Sequence, residues 1–212
     1  MAPYAQTAGG GYILAEAEPH AMLSRLRDRL FRRDDRQDDR RSRFDRTVLP
    51  HLDAAWDLAR WLTRNDQDAE DVLQTAVLRA LQFFDGFQGV NARAWLLAIV
   101  RNAFYDGLAK RSRGPEMADP FDEEIHSAVE GGADPEVELL RRADSRLLRQ
   151  GFEALPLHLR EAMVLRELEG LSYKEIASIA AVPIGTVMSR LSRARRQLQD
   201  FLIANGVKEG RP

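Results

Sequence analysis

Two predicted helices joined by a tight turn decide the fold of the C-terminal part of the chain, where residues 172–198 read SYKEIASIAAVPIGTVMSRLSRARRQL. Ser172 and Glu175 fit the capping box, in which two residues exchange hydrogen bonds with each other's backbone and start a helix. A turn at residues 181–184 follows, and a longer helix is predicted from about Gly185 to Ile203. This arrangement is typical of the helix-turn-helix, which sets its second helix into the DNA major groove.

The outward side of the longer helix is predicted to contact duplex DNA. At roughly 100° per residue, its apolar residues gather on one side, and Ser and Arg occupy the opposite side and the flanks. The candidate DNA-binding residues are Thr186, Ser189, Arg190, Ser192, Arg193 and Arg196. No carboxylate occurs between Gly185 and Gln199, whereas a solvated face without a ligand normally mixes both signs of charge. Hydroxyl and guanidinium groups bind phosphates and the acceptor edge of guanine; the alternative is a basic surface without a ligand.

A second group of helices is predicted between residues 44 and 113. Apolar residues recur there every three or four positions, as in helices that bury one face. The three stretches with this spacing run from Val48 to Leu62, from Ala69 to Phe84 and from Leu96 to Leu108. Asn91 is predicted to cap the third helix, and Gly86 and Gly89 mark the loop before it. No strand pattern is present, so the predicted fold class is all-α, with a three-helix bundle followed by the helix-turn-helix domain.

The segments outside these helices differ in composition. Residues 116–138 contain nine carboxylates and no Lys or Arg, and residues 114–135 are therefore predicted to be an acidic flexible linker. The second domain is predicted to span residues 136–204, and residues 205–212 form a tail. Residues 1–43 are predicted to be a charged, mobile N-terminal arm.

The composition excludes several classes of protein. The chain has 31 Lys and Arg against 33 Asp and Glu, a formal net charge of −2, which excludes a uniformly basic surface but not a local basic patch. The lack of Cys excludes disulfides and thiolate metal sites. No apolar run approaches the roughly 20 residues that cross a bilayer, and no secretory leader opens the chain. These features predict a cytoplasmic protein without membrane insertion.

An acidic cluster at residues 66–71 invites a metal site. A calcium-binding loop that began at Asp66 would need Gly at its sixth position and Glu at its twelfth, where the chain has Asp71 and Val77. The four His residues lack ligand spacing, and no phosphate-binding glycine loop or Ser/His/Asp set is recognisable. The sequence therefore predicts no metal, no cofactor and no enzymatic activity.

The helix after Asn91 carries a candidate surface for single-stranded nucleic acid. Arg101, Asn102 and Tyr105 are predicted to lie opposite its apolar stripe, with Trp95 at the edge. Unpaired bases stack on aromatic rings while Arg holds the backbone. The alternative fits these residues equally well, with Trp95 in the core and Tyr105 an ordinary surface residue of an amphipathic helix.

These segments, in this order, resemble the extracytoplasmic-function (ECF) family of RNA polymerase sigma factors over about residues 44–113 and 136–203. The matching segments are DAEDVLQ at 68–74, which resembles the polymerase-docking helix; NARAWL at 91–96 with IVRN at 99–102, which resemble the promoter-melting and minus-10 segment; and residues 161–168, 170–177 and 185–191, which resemble the region that reads the minus-35 element. Each segment alone is suggestive, and all of them in order are specific.

The resemblance implies a role for each group of candidate residues. Asp68, Asp71 and Gln74 correspond to residues that dock on core RNA polymerase, whose β′ clamp and β subunit are the implied partners. The residues implied in minus-10 recognition and melting are Phe87, Gln88, Asn91, Arg93, Trp95, Arg101, Asn102 and Tyr105. The first three of these lie on the loop that, in the family, captures a flipped base. The candidate DNA-binding residues of the last helix correspond to the minus-35 reader, although Met188 departs from the Lys or Arg often found at that position.

The resemblance implies a factor that binds core polymerase, directs it to particular promoters and performs no chemistry itself. It also implies that the acidic linker runs through polymerase channels built for nucleic acid, and that an anti-sigma factor holds the protein inactive. Two alternatives stay open. One is a stand-alone helix-turn-helix regulator that binds promoter DNA without polymerase, and the other is a non-initiating protein that binds polymerase or an anti-sigma factor.

Overall fold

A computed structural model of the chain describes residues 38–89, 91–112 and 135–207, except for the side chains of residues 38–39 and 135–144. Residues 38–112 and 135–207 fall into two separate compact units. Every regular element within the described ranges is a helix, so the predicted all-α fold class is confirmed. Most of the predicted arm and nearly all of the predicted linker lie outside the described residues.

The first unit contains a bundle of four helices. They are α1 (Asp38–Val48), α2 (Leu52–Thr63), α3 (Asp66–Phe83) and α4 (Ala92–Arg111), with short 3-10 helices at Leu49–His51 and Phe84–Gly86. Helices α2, α3 and α4 pack against one another in pairs, as predicted for the three apolar stretches, and α1 packs against α4. Their apolar faces form one core, in which residues such as Leu58, Leu73 and Leu96 are fully buried.

Helix α1 corrects the sequence prediction at two points. The predicted arm extends to residue 43, whereas α1 already begins at Asp38. The first predicted stretch runs from Val48 to Leu62 without a break, whereas Val48 is the last residue of α1 and a 3-10 helix separates it from α2. The break occurs because Pro50 lacks an amide hydrogen and occupies the first turn of the 3-10 helix. Arg40 donates to the Asp85 carboxylate at 2.9 Å and to the Leu81 carbonyl oxygen at 2.8 Å. Residues 38–43 therefore belong to the helical unit.

Side-chain caps define where α3 and α4 begin. The Asn65 side chain accepts a hydrogen bond from the Asp68 backbone N–H at 3.0 Å. Asn91 caps α4 as predicted, and its Oδ1 accepts from the Ala94 N–H at 2.9 Å. Each bond satisfies one of the backbone donors that a helix N-terminus leaves without an intrahelical partner. The chain reverses between α2 and α3 through Arg64, which has a left-handed conformation with φ 61°.

The second unit contains α5 (Pro135–Ala154), α6 (Leu157–Met163), α7 (Tyr173–Ala180) and α8 (Ile184–Ala204). The predicted capping box is confirmed, since the Glu175 N–H donates to Ser172 Oγ at 3.3 Å and the Ser172 N–H donates to Glu175 Oε2 at 2.8 Å. The predicted turn and the long last helix are also confirmed. Residues 164–168 form a wider π-helical turn before Gly170, whose φ is 66°.

Helices α5 and α8 approach closely at Gly151. A Cβ atom added there would lie 2.5 Å from Leu198 Cδ1 and 3.0 Å from Phe201 Cδ1. Real Cβ atoms essentially never have neighbours at 2.5 Å, so a side chain at residue 151 would force Leu198 and Phe201, or the two helices, to move. The buried Arg160 binds the end of α5, because its Nη1 donates to the carbonyl oxygen of Glu153 at 3.0 Å and to that of Leu155, just after the helix, at 3.2 Å.

Candidate functional site

The predicted duplex-binding residues lie on the side of α8 that faces away from the core. Val187, Leu191 and Ala194 are buried on the inward side. The six candidates divide into four that are exposed, Ser189, Ser192, Arg193 and Arg196, and two that are half-buried at the edges, Thr186 and Arg190. The structure therefore brings the six residues together on a continuous hydroxyl and guanidinium surface, which we call the α8 face.

Arg195 differs from its neighbours on α8 because it has an acidic partner. Its Nη2 lies 2.7 Å from Glu167 Oε1, on the π-helical turn, and its Nε lies 3.2 Å from the same oxygen. This hydrogen bond raises the pKa of Arg195 above its usual value. Arg193 and Arg196 form no ion pair with the residues that the structure describes. Their positive charge is therefore the part of the α8 face that a polyanion would neutralise.

The predicted single-strand surface on α4 is built around a contact between Arg101 and Tyr105. The Arg101 guanidinium lies over the Tyr105 ring, 4.5 Å from its centroid, and Tyr105 meets Phe104 edge to face at 5.3 Å. Asn102 is exposed beside them. The cation–π contact holds the two side chains against each other. Arg101, Asn102 and Tyr105 are called the α4 face below.

Trp95 and Phe87 belong to an aromatic cluster around Phe84. The Phe84 ring is buried and lies 5.2 Å from Phe44, 6.5 Å from Phe87 and 6.5 Å from Trp95, between ring centroids. Phe87 and Trp95 are 4.7 Å apart. Both are half-buried, so the two interpretations of Trp95 each describe part of it. One side of the ring packs in the cluster, and the rest reaches solvent.

The other three predicted minus-10 residues lie in different surroundings. Gln88 is exposed on the loop. Asn91 is exposed too, but its side-chain oxygen already caps α4. Arg93 is half-buried close to His51, and burial together with the Arg93 charge lowers the pKa of His51. At roughly 100° per residue Arg93 lies on the opposite side of α4 from Asn102, so the structure does not bring Arg93 to the α4 face.

The predicted docking residues lie along α3, in two different settings. Asp71 is exposed and Gln74 is half-buried, and Leu78, with 47% of its surface exposed, continues the same side one turn further on. Asp68 instead pairs with the last residue of α4, since the Arg111 Nη2 and Nη1 atoms donate to its two carboxylate oxygens at 3.0 and 3.2 Å. Asp71, Gln74 and Leu78 are called the α3 face below. Sequence reasoning missed Leu78 because an apolar residue near a buried stripe is readily counted with the core.

The acidic cluster at the start of α3 has partners of its own. Asp66 pairs with Arg60, and Asp68 pairs with Arg111. No group of three or more His, Cys, Asp or Glu residues in the described ranges could hold a metal ion. Within the same ranges no helix is both long and apolar enough to span a membrane.

Comparisons with known proteins assign a family to both units. The family model for Sigma-70 region 2 matches residues 47–114, and the model for Sigma-70 region 4 matches residues 145–198. The chain is 37% identical over 162 residues to the ECF RNA polymerase sigma factor SigE of Mycolicibacterium smegmatis, an alignment that covers 75% of this chain and 61% of that relative. It is 37% identical over 139 residues to the ECF RNA polymerase sigma-E factor of Escherichia coli, covering 63% of this chain and 73% of the relative.

A solved structure agrees with these matches. The sigma factor RpoE from Bartonella quintana, crystallised with the anti-sigma factor NepR, superposes with a TM-score of 0.62 at 34% identity, covering 76% of this chain and 96% of RpoE. The two matched regions, the relatives and the shared fold lead to one family. This chain belongs to the extracytoplasmic-function family of RNA polymerase sigma factors.

Proposed function

We propose that this sigma factor divides promoter recognition among three surfaces. The α3 face binds core RNA polymerase, the α4 face with Trp95 and Phe87 holds the opened strand at the minus-10 element, and the α8 face reads the minus-35 duplex. The polymerase performs all of the chemistry, in the cytoplasm. The observation that carries this proposal is the α8 face, where hydroxyl and guanidinium groups are exposed on a helix with no carboxylate between Gly185 and Gln199.

The α8 face suits duplex DNA in both charge and shape. A helix of 21 residues that exposes one side at the end of a helix-turn-helix fits the major groove. Arg193 and Arg196 supply charge for phosphates or guanine edges, and the serines supply short hydrogen-bonding groups that allow close approach. Because Glu167 holds Arg195, that arginine contributes less to DNA binding than Arg193 and Arg196 do.

The α4 face suits unpaired bases. The Arg101 and Tyr105 side chains already stack on each other, so little conformational freedom remains to be lost when a base or phosphate binds. Asn102 offers a donor and an acceptor next to them. Phe87 and Trp95 add ring surface that the Phe84 cluster supports from behind. Asn91 and Arg93 contribute less in this proposal, because one caps α4 and the other faces away.

The α3 face has the composition of a small protein-binding site. Leu78 gives an apolar centre, and Asp71 and Gln74 give a polar border with one negative charge. Interfaces of proteins commonly combine a buried apolar anchor with a polar rim. Asp68 acts indirectly in this proposal, by fastening the start of α3 to the end of α4.

We propose two further elements of this function. Residues 114–135, with their carboxylates, run through polymerase channels that otherwise hold nucleic acid. An anti-sigma factor binds the chain and keeps it from polymerase. The second element is supported by the relative RpoE, which was crystallised in complex with the anti-sigma factor NepR.

Run-off transcription with purified core polymerase tests the proposed function. The templates are genomic promoter fragments, including the one upstream of the gene for this chain. Discrete transcripts are expected only when both the chain and core polymerase are present. Specific duplex binding without polymerase would favour the stand-alone regulator instead. The proposal fails if the chain does not associate with core polymerase, even without residues 1–37 and without an inhibitor.

Replacement of Asp71 by Arg is expected to weaken binding to core polymerase by about tenfold or more, because it reverses the charge of the α3 face. Asp53→Arg makes the same change of charge at an exposed position on α2 and serves as the control. Binding is measured by titrating fluorescently labelled core polymerase with each variant. Equal affinities for the Asp71 and Asp53 variants would remove Asp71 from the docking surface.

Replacement of Arg193 by Ala is expected to cost about 1–3 kcal/mol of affinity of the reconstituted holoenzyme for a minus-35 element. Arg195→Ala is the matched control on the same helix, and its loss is expected to be smaller because Glu167 already holds that guanidinium. Gel-shift titration of promoter duplexes at one fixed salt concentration measures both. A larger loss for Arg195 than for Arg193 would contradict the assigned face.

A further inference from the structure

Two large apolar side chains are exposed at the start of α8. Ile184 has 47% of its surface exposed and Met188 has 53%. They are four residues apart, so they adjoin each other on one side of the first helical turns. The residues that complete the core beneath them, Val187 and Leu191, are buried. Ile184 and Met188 thus form an apolar pair outside the core.

Met188 borders the α8 face near its N-terminal end, and Ile184 lies one turn before Met188. At roughly 100° per residue, Met188 and Ser192 lie only about 40° apart around the helix. The N-terminal residues of a recognition helix are the ones that reach base edges in the major groove. An apolar pair at this end therefore meets base edges if α8 enters the groove as proposed.

We propose that Ile184 and Met188 read thymine methyl groups in the minus-35 element. The C5-methyl of thymine is the apolar group that A·T and T·A pairs present in the major groove, and apolar side chains recognise it there. This inference rests on the proposed function, because it needs α8 to enter the groove.

The surroundings of the pair favour DNA over another protein as the occupant. Ser192 lies one turn from Met188 on the same side, the rest of the α8 face continues around the helix from Ser192, and the helix carries no carboxylate from Gly185 to Gln199. A polyanion with isolated methyl groups matches both the charge and the small size of the apolar patch. Met188 also has a flexible, unbranched side chain that can follow the position of a methyl group.

The test removes single methyl groups from the DNA. Holoenzyme made from the full chain and core polymerase selects minus-35 elements from a randomised duplex pool. The selected duplex is then resynthesised with each thymine replaced singly by deoxyuridine, which lacks only the methyl group. At one or two positions the replacement is expected to weaken binding about fourfold, the factor that corresponds to one buried methyl group.

Side-chain variants assign the effect to the pair. Met188→Ala and Ile184→Ala are each expected to bind the thymine and deoxyuridine duplexes equally at one of these positions. Ile203→Ala is the matched control, because Ile203 is also apolar, is 43% exposed and lies at the far end of α8. This control is expected to keep the full thymine preference. Far-ultraviolet circular dichroism checks that all three variants fold.

Several results would overturn the inference. They are a selected element without thymine, equal binding of thymine and deoxyuridine duplexes by the unaltered chain, or a thymine preference that both variants retain. If the holoenzyme initiates at promoters and shows one of these results, only the inference that Ile184 and Met188 recognise thymine methyl groups is overturned. Failure to form any promoter complex overturns the proposed function, and this inference with it.

Discussion

Replacement of Phe84 by Ala is expected to destabilise the first unit by about 3–5 kcal/mol, the usual cost of removing a buried Phe side chain. Phe84 is 3% exposed and lies at the centre of an aromatic cluster, with Phe44, Phe87 and Trp95 around it. The Arg43 guanidinium lies 5.7 Å from the centroid of the same ring. One deletion therefore removes contacts to α1, to the loop and to α4 at the same time.

Tryptophan fluorescence measures this loss without interference from the second unit. All three Trp residues of the chain, Trp56, Trp61 and Trp95, lie in the first unit. Urea unfolding followed by this signal gives the free energy of unfolding of that unit, provided that its transition is two-state. Leu78→Ala is the control, because it removes an exposed apolar side chain from the same bundle and is expected to change stability by no more than about 0.5 kcal/mol. A loss below about 1 kcal/mol for Phe84→Ala would mean that the cluster does not hold the bundle together.

The elements that could be predicted from the sequence are those with local causes. The capping box of Ser172 and Glu175 and the cap provided by Asn91 join residues only three apart, so their pattern is visible along the chain. These predictions are confirmed because no distant contact has to be known to make them.

Helix α1 could not be predicted because its contacts are distant in sequence. It is rich in Asp and Arg, and a charge-mixed segment with few apolar residues is normally solvated. Its place in the bundle depends on the buried Phe44 against Phe84 and on Arg40 bound to Asp85 and Leu81, about 40 residues away. Periodicity within the segment carries no information about these partners.

Family resemblance predicted where the candidate residues would be, but not what else their side chains bind. Asn91 caps a helix, Asp68 pairs with Arg111, and Phe87 packs on Trp95. The exposed Leu78 and Met188 show the opposite case, in which apolar residues lie outside the core. Such assignments depend on which face each helix buries, and that is decided by packing between helices.

Replacement of Gly151 by Leu is expected to destabilise the second unit by about 1–3 kcal/mol, the usual cost of overpacking a core. Even a Cβ atom at this position would meet Leu198 Cδ1 at 2.5 Å, and the further atoms of Leu would push α5 away from α8. Hydrogen exchange of the α8 amides in the full chain measures the effect, and their opening is expected to become about 10- to 100-fold more frequent. Tryptophan fluorescence provides the internal reference, because the first unit holds every Trp and should unfold unchanged.

Gly107→Leu is the matched control, since Gly107 lies inside α4 and a Cβ there meets nothing within 4 Å. Because Leu favours helix more than Gly does, the control should not destabilise its own unit. If α8 exchanges at its original rate in the Gly151 variant, α5 does not pack on α8 at this distance, and the recognition helix is held by α6 and α7 alone.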